Sequence, residues 1–444
     1  MKLRRIAAVW TSKLVARICK MLGKQGVTWA GKIALMIDPK ILTELAGDVK
    51  GKIYVVCGTN GKTTTNNLLC STLEAQGKKV VCNHTGSNML NGCVASFVLS
   101  TGWNGRLDAD YACIEVDEAS ALRIFPHFKP DFMVLTNLFR DQLDRYGEID
   151  ITMNLVRDAM KLAPDMKIIV NADDALSVFV TQESGNPYVT YGIGGKVFEE
   201  SINEIKEGRF CKKCGAKMEY NFYHFSQLGD YYCSACDFKR PEIKYNASEI
   251  ETGDHLAFCV DNRRIKANYR GFYNIYNILA SYAAAREAGL PIENFQKVLD
   301  AYNPENGRNE HFSIDGTEII LNLAKNPAGF NQNISAVMED KTPKDIIILI
   351  NDNDQDGTDV SWLWDVDFDR FQSDNINSIV VSGIRCQDMR LRLKYVDIPA
   401  NLEQDVEKAI RERIANGCKN LYVLVNYTGL YSTHNILKRM EEAS

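Results

Sequence analysis

Gly58-Thr59-Asn60-Gly61-Lys62-Thr63-Thr64 follows an apolar run, Ile53–Cys57, and precedes a stretch of helical spacing that ends near Gln76. Glycines at both ends of this turn let the backbone curl so that its N–H groups face an anion, and the helix start adds the positive end of its dipole. In such a loop the Lys62 ammonium reaches the outer phosphates of a nucleotide and the Thr63 hydroxyl holds Mg²⁺. The loop is shorter than the commoner phosphate loop. A plain turn needs neither the strand before it nor the helix after it, so the context predicts ATP binding by Gly58, Thr59, Asn60, Gly61, Lys62, Thr63 and Thr64.

Outward from the loop, short apolar runs at 80–82, 111–116, 132–136 and 168–170 alternate with helical stretches. That alternation predicts an α/β domain, a parallel sheet with helices on its faces. Residues 205–245 break the pattern: they are rich in Lys, Tyr and Cys, lack a helical period and read as an insertion. A helix is expected over 273–288, stopped by Gly289 and Pro291. From residue 317 a second α/β unit begins, with strands at 319–323, 346–350, 379–381 and 421–425 and a helix around 406–414. The expected division is an N-terminal basic segment over 1–45, a central nucleotide-binding domain over 46–312 and a C-terminal Rossmann-like α/β domain over 313–444.

A chain of 444 residues has room for two or three domains, and 45% hydrophobic and 25% charged residues are ordinary for a globular protein. A net charge of −5 argues against broad nucleic-acid binding. No apolar run approaches the length needed to span a bilayer, and basic residues interrupt the N-terminus where a signal peptide would be apolar, which predicts a cytoplasmic protein. The first 32 residues carry eight Lys or Arg and no acid. Leu3, Ile6, Trp10, Leu14, Ile18 and Met21 recur at helical spacing beside a stripe of Lys13, Arg17, Lys20 and Lys24. Such a helix either packs on its own domain with a solvated basic side or lies at the inner face of a membrane.

Thirteen cysteines fit a reducing compartment. Cys211-x-x-Cys214 and Cys233-x-x-Cys236 stand eighteen residues apart, the spacing of a zinc ribbon. Four thiolates close the coordination shell of Zn²⁺ and leave no position for water, so a structural role is expected.

The G-T-N-G-K-T-T form resembles the loop of the Mur ligase superfamily and of folylpolyglutamate synthases, and further matches follow in the family's order. Glu115-Val116-Asp117-Glu118-Ala119-Ser120 resembles its acidic strand end, where a Glu binds Mg²⁺. Thr136-Asn137-Leu138 with Asp141-Gln142-Leu143-Asp144, and Asn171-Ala172-Asp173-Asp174, resemble two further stretches. Gly271 with Asn274 and Asn277 resembles the helix start that contacts adenine, Gly307-Arg308 the arginine near the transferred phosphate, and Asn326-Pro327-Ala328-Gly329 a loop of the C-terminal domain. The resemblance implies an ATP-dependent ligase that activates a carboxylate as an acyl phosphate. Asn171, Asp173, Asn274, Asn277 and Arg308 would join the loop on ATP, Mg²⁺ would sit on Thr63 and Glu118, and Lys62 and Arg308 would serve the phosphoryl transfer.

The chain departs from the family's pattern in three places. Only 57 residues precede the loop, too few for the nucleotide-binding domain of ligases that act on UDP-linked precursors. The family's metal-binding His is Gln142, and about twenty residues beyond Thr136 stand Val156 and Arg157 where many members carry a carbamylated Lys. The paired cysteines are the third departure. Together with Asn322-Leu323-Ala324-Lys325-Asn326-Pro327-Ala328-Gly329 and the acidic stretch from Asp352 to Trp362, these features resemble the MurT family, ligase subunits of lipid II isoglutaminyl synthases. That resemblance implies amidation of the α-carboxyl of D-glutamate in the lipid II stem peptide, with ammonia from a GatD-type glutaminase partner. It further implies that an Asp of the acidic loop completes the partner's Cys–His pair. Motif position favours Asp359 over Asp356, with Ser361, Trp362 and Trp364 at the interface. Two rival readings are a folylpolyglutamate synthase-like ligase and a non-catalytic ATP-binding regulatory subunit.

Overall fold

The computed structural model describes residues 2–21, 26–141, 148–198, 207–253, 255–268, 270–302 and 308–444, the side chains of Lys2 and Arg308 excepted. Two helices open the chain, α1 (Lys2–Met21) and α2 (Val27–Ile37). A short helix, Ile41–Ala46, leads into a nine-stranded sheet. Its strands are β1 (Ile53–Cys57), β2 (Val80–Cys82), β3 (Tyr111–Glu115), β4 (Phe132–Leu135), β5 (Lys167–Asn171) and β6 (Tyr188–Ile193). After a hairpin of β7 (Met218–Phe225) and β8 (Leu228–Cys233) come β9 (Tyr245–Glu251), β10 (Leu256–Val260) and β11 (Arg263–Ala267). The order is β11-β10-β9-β6-β5-β4-β1-β3-β2, parallel from β2 to β9 and antiparallel over the last two pairings.

β1 shows why the parallel part is apolar along its whole length: every residue is buried. Tyr54 and Val56 point to the core shared with helices Lys62–Glu74 and Tyr273–Glu287, and Ile53, Val55 and Cys57 point to the core shared with helix Leu90–Ser100. A strand covered on both faces reads as a continuous hydrophobic run. The strands β6 and β9–β11 were not expected from the sequence. β9 lies between β6 and β10 but leaves several of its residues exposed, so its apolar signal is weak.

The second sheet comprises β12 (Arg308–Ile314), β13 (Thr317–Leu323), β14 (Lys344–Leu349), β15 (Ile376–Ser382), β16 (Asn401–Leu402) and β17 (Asn420–Val425), in the order β12-β13-β17-β14-β15-β16. β12 pairs antiparallel with β13, so this sheet reaches back to Arg308, ahead of the boundary at 313. Ile346 and Ile348 fill one face of β14 and Ile347 and Leu349 the other, each with its own core. Among the described residues, no helix is long and apolar enough to cross a membrane.

Candidate active site

The loop after β1 turns through Gly58 at φ 120° and Gly61 at φ 81°. A Cβ at Gly58 would lie 2.3 Å from the Thr136 hydroxyl, and one at Gly61 would lie 2.0 Å from Asn277 Oδ1. Neither conformation nor space admits another residue. The Thr136-Asn137 pair at the end of β4 serves as the bed on which the loop lies. Thr59 N–H donates to the Asn137 carbonyl at 2.8 Å, Asn60 N–H to Asn137 Oδ1 at 2.9 Å, and the Thr136 hydroxyl to the Asn60 carbonyl at 2.8 Å. Asn274 and Asn277, from the first turn of helix Tyr273–Glu287, close the other side, Asn277 Nδ2 donating to Asn274 Oδ1 at 3.0 Å.

Lys62 is almost fully enclosed. Its ammonium donates to the carbonyls of Gly58 at 2.6 Å and Thr59 at 3.2 Å and lies 3.3 Å from Glu118 Oε2. Burial disfavours its charge, yet the carboxylates of Glu118, Glu115 and Asp117 outweigh that and hold its pKa above the usual lysine value. Burial pushes the Glu118 carboxyl up while Lys62 opposes it. The sequence reading put Glu118 beside Thr63. In the structure Glu118 meets Lys62, and the carboxylate on the Thr63 hydroxyl is Glu115, whose Oε2 accepts at 2.5 Å. Glu115 closes β3 and stands three residues before Glu118 in the same Glu-Val-Asp-Glu stretch. Asn88 Nδ2 donates to its Oε1 at 2.8 Å, and Asn83 bonds both its N–H and its carbonyl. A hydroxyl beside a buried carboxylate is a hard oxygen donor pair that suits Mg²⁺.

The C-terminal unit reaches the loop through the turn before helix Pro327–Glu339. Asn326 caps that helix by accepting from Gly329 N–H at 2.8 Å, and its Nδ2 donates to Asn60 Oδ1 at 3.2 Å. The neighbouring Lys325 ammonium lies 2.7 Å from Asp141. Lys325 is a second cation near Lys62 and Glu118 that the sequence reading did not assign. Gln142 and the Arg308 side chain lie outside the described residues.

Asn171 and Asp173 turn inward. Asn171 donates to the Thr136 carbonyl at 3.2 Å. Asp173 is fully enclosed, accepting from Ile193 N–H at 2.8 Å, the Tyr276 hydroxyl at 2.7 Å and Arg240 at 3.0 Å. Burial pushes its carboxyl up to about 6 against the pull of Arg240. Asp174 caps helix Ala175–Ser184 and accepts from Gln227 at 2.7 Å. Arg240 and Gln227 both belong to the cysteine-bearing insertion, which is thereby fastened to the core under the loop.

In that insertion the sulfurs of Cys211 and Cys236 are 3.7 Å apart and those of Cys214 and Cys233 are 3.5 Å apart. All four lie within 4.8 Å of one another. A tetrahedron with Zn–S bonds of about 2.3 Å has edges of about 3.8 Å, so the donor set fits zinc in kind and in size. None of the thirteen cysteines forms a disulfide. Cys70, Cys82 and His84 form a smaller thiol and imidazole group beside the loop helix.

The acidic loop after β14 divides its aspartates between two tasks. Asp356 is buried and accepts from the N–H and the hydroxyl of Thr428, capping helix Tyr427–Ala443 from outside its own segment. Asp359 is part-exposed and accepts from Ser361 N–H at 2.8 Å. That bond, with a smaller contribution from Arg140, holds its carboxyl below the usual range. It lines a shallow cavity of about 300 Å³ with Trp364, Arg385 and Asp388. Trp364 is half exposed, whereas Trp362 is buried beside Phe330, so of the two tryptophans expected at a surface only Trp364 is there.

Comparison with known proteins agrees with this geometry. The family description Mur ligase middle domain matches residues 56–285, and MurT ligase C-terminal matches residues 323–430. The lipid II isoglutaminyl synthase (glutamine-hydrolyzing) subunit MurT of Staphylococcus aureus (strain COL) is 35% identical over 431 residues, 96% of each chain. The protein of the same name from Streptococcus pneumoniae (strain ATCC BAA-255 / R6) is 34% identical over 430 residues, 95% of this chain and 94% of that one. Among solved structures, a pseudomurein peptide ligase type C from Methanothermus fervidus superposes with a TM-score of 0.69 at 21% identity, covering 89% of this chain and 80% of that one, a likeness of fold.

Proposed function

The chain belongs to the MurT family within the Mur ligases, and on that premise we propose that it is the ATP-dependent amidoligase subunit of a glutamine-driven complex acting on lipid II. The substrate is the α-carboxyl of D-glutamate in the lipid II stem peptide. A carboxylate oxygen attacks the γ-phosphorus of ATP, the bond to ADP breaks, and an acyl phosphate forms. Ammonia then attacks the acyl carbon, phosphate leaves, and the nitrogen loses a proton to give D-isoglutamine. The observation that carries this reading is the glycine turn at residues 58–64, where a buried cation, Lys62, and the hydroxyl–carboxylate pair of Thr63 and Glu115 stand at the start of a helix.

Lys62 would neutralise charge on the transferring phosphoryl group, and Arg308 is the proposed second cation. Thr63 and Glu115 would hold Mg²⁺, with Glu118 the alternative ligand; bound Mg²⁺ supplies charge neutralisation across the phosphates. Asn274 and Asn277 would flank the adenine side, and Asn171 and Asp173 would support the loop from beneath. The four cysteines would hold a structural Zn²⁺ in a ribbon within 205–245. Asp359 would serve a GatD-type glutaminase by orienting the His of its Cys–His pair. The proposed domains are 1–45, 46–312 and 313–444, the last extended back to Arg308 by β12, and the chain would work in the cytoplasm, peripheral to the inner face of the membrane.

The test is nucleotide turnover by the purified chain with lipid II and ammonium. Turnover that needs both, with an amidated product by mass spectrometry, is expected. ATP consumption indifferent to lipid II, or dependent on folate and glutamate instead, would overturn the reading.

A further inference from the structure

Helix α1 is amphipathic, but it is turned the opposite way from a helix that buries its large residues. Its small residues Ala8, Val9 and Ser12 are fully buried, while Leu3, Trp10, Leu14, Ile18 and Met21 are 41% to 85% exposed. Helix α2 repeats the inversion. Ala30, Gly31 and Ala34 face inward, so closely that a Cβ at Gly31 would lie 1.8 Å from the Asn91 carbonyl, while Trp29 and Met36 face solvent. Small residues let each helix approach its neighbours closely, and the large apolar side chains are left on the outside.

The exposed layer has a definite chemistry. Three of the five tryptophans lie on it, Trp10, Trp29 and Trp103, and the Trp10 indole N–H donates to the Trp103 carbonyl at 2.7 Å. Lys13 and Arg17 lie over the Trp103 ring at 5.3 and 5.2 Å, and Lys32 lies over Trp29 at 5.2 Å. All 57 acidic residues of the protein lie beyond residue 37. Contiguous exposed apolar surface of this kind marks an interaction site.

We infer that α1 and α2 form a docking surface for an anionic lipid bilayer. Tryptophan and long basic side chains are the residues that settle at the boundary between headgroups and acyl chains. A helix of about 20 residues is about 30 Å long and lies in that plane with its apolar stripe down and its Lys and Arg among the headgroups. Negative headgroups complement two helices that carry no acid of their own. A second copy of the chain docked face to face would set like charges against each other. The inference stands on these two helices and not on the reaction proposed above.

The experiment is flotation of the full chain with vesicles of phosphatidylcholine alone or mixed with phosphatidylglycerol. Binding to the mixed vesicles, weakened by salt, is expected. Leu14→Glu with Ile18→Glu should lower that binding about tenfold or more, since each change places a charge where an apolar group enters the interface. Both positions are open to solvent, so the melting temperature should hold; Trp29→Ser with Met36→Ser on α2 is an independent second variant. Equal binding to both kinds of vesicle, no binding to either, or vesicle binding untouched by both variants would overturn the inference. So would loss of a dimer or of a bound protein partner as the sole effect of the variants.

Discussion

The Lys62 ammonium lies 3.3 Å from the Glu118 carboxylate, with both side chains more than nine-tenths hidden from solvent. In the proposed reaction a polyphosphate would supply negative charge here, and Lys62 would exchange Glu118 for it. Lys62→Ala should abolish lipid-dependent ATP turnover. It should also destabilise the chain by about 3 kcal/mol, because it strands a buried carboxylate. Full turnover in the variant would refute the loop assignment.

The two glutamates should separate in their response to metal. Glu115→Gln removes the carboxylate on the Thr63 hydroxyl, so the Mg²⁺ concentration for half-maximal turnover should rise about tenfold or more, as for loss of a metal-site partner. Glu118→Gln should change it less. The opposite ranking in a Mg²⁺ titration would return the ligand role to Glu118.

Zinc removal should act on stability before chemistry. Metal analysis of the isolated chain should show zinc that Cys211→Ser loses, about one ion per chain for a four-thiolate site. Because Arg240 and Gln227 tie the insertion to Asp173 and Asp174, hydrogen exchange should rise first in β7 and β8 and then around Asp173. A Cys211→Ser protein that holds as much zinc as the wild type would contradict the site.

His224 predicts an acid-sensitive insertion. The ring is buried among Phe222, Phe272 and Tyr276, and its Nε2 lies 3.3 Å from the Ile193 carbonyl, an acceptor, so Nε2 carries the proton of the neutral ring. Burial pushes its pKa down to about 4, below the value near 6.5 of an unfolded chain. The unfolded state therefore binds the extra proton first as pH falls. Stability present above pH 6.5 is lost progressively toward pH 4, by up to about 3 kcal/mol from this residue. His224→Phe should lose less over that range, read from denaturant midpoints at successive pH values; parallel losses in both proteins would assign the effect elsewhere.

Asp359 and Asp356 should differ in kind. Asp359→Asn should abolish amidation driven by glutamine and the partner glutaminase while leaving amidation from free ammonium intact. Complex formation should also survive, since one part-exposed carboxylate contributes little binding. Asp356→Asn should instead cost stability, about 1 kcal/mol as for a lost helix cap, because its carboxylate accepts from Thr428. Equal loss of amidation with both nitrogen sources would move Asp359 into the ligase site.

The glycine turn after β1, the strand before it and the clustering of the four cysteines were legible in the sequence because each is a local pattern. A turn of this shape needs glycine at positions of positive φ, a strand buried on both faces needs an apolar run, and a four-thiolate site needs two close pairs. The partners of those residues were not legible. Glu115 and Glu118 are three residues apart in one stretch, and only the end of β3 and the turn after it decide which meets Thr63 and which meets Lys62. Lys325 reaches Asp141 across 184 residues of chain, and Arg240 reaches Asp173 from an insertion with a separate metal pattern. The sequence of α1 shows an apolar stripe and a basic stripe but not which faces inward. Close packing decided that: only the small residues of α1 and α2 fit against the helix Leu90–Ser100, so Trp10, Leu14 and Trp29 were left outside. Local backbone chemistry is written in neighbouring residues, whereas contacts between distant segments depend on how whole elements pack.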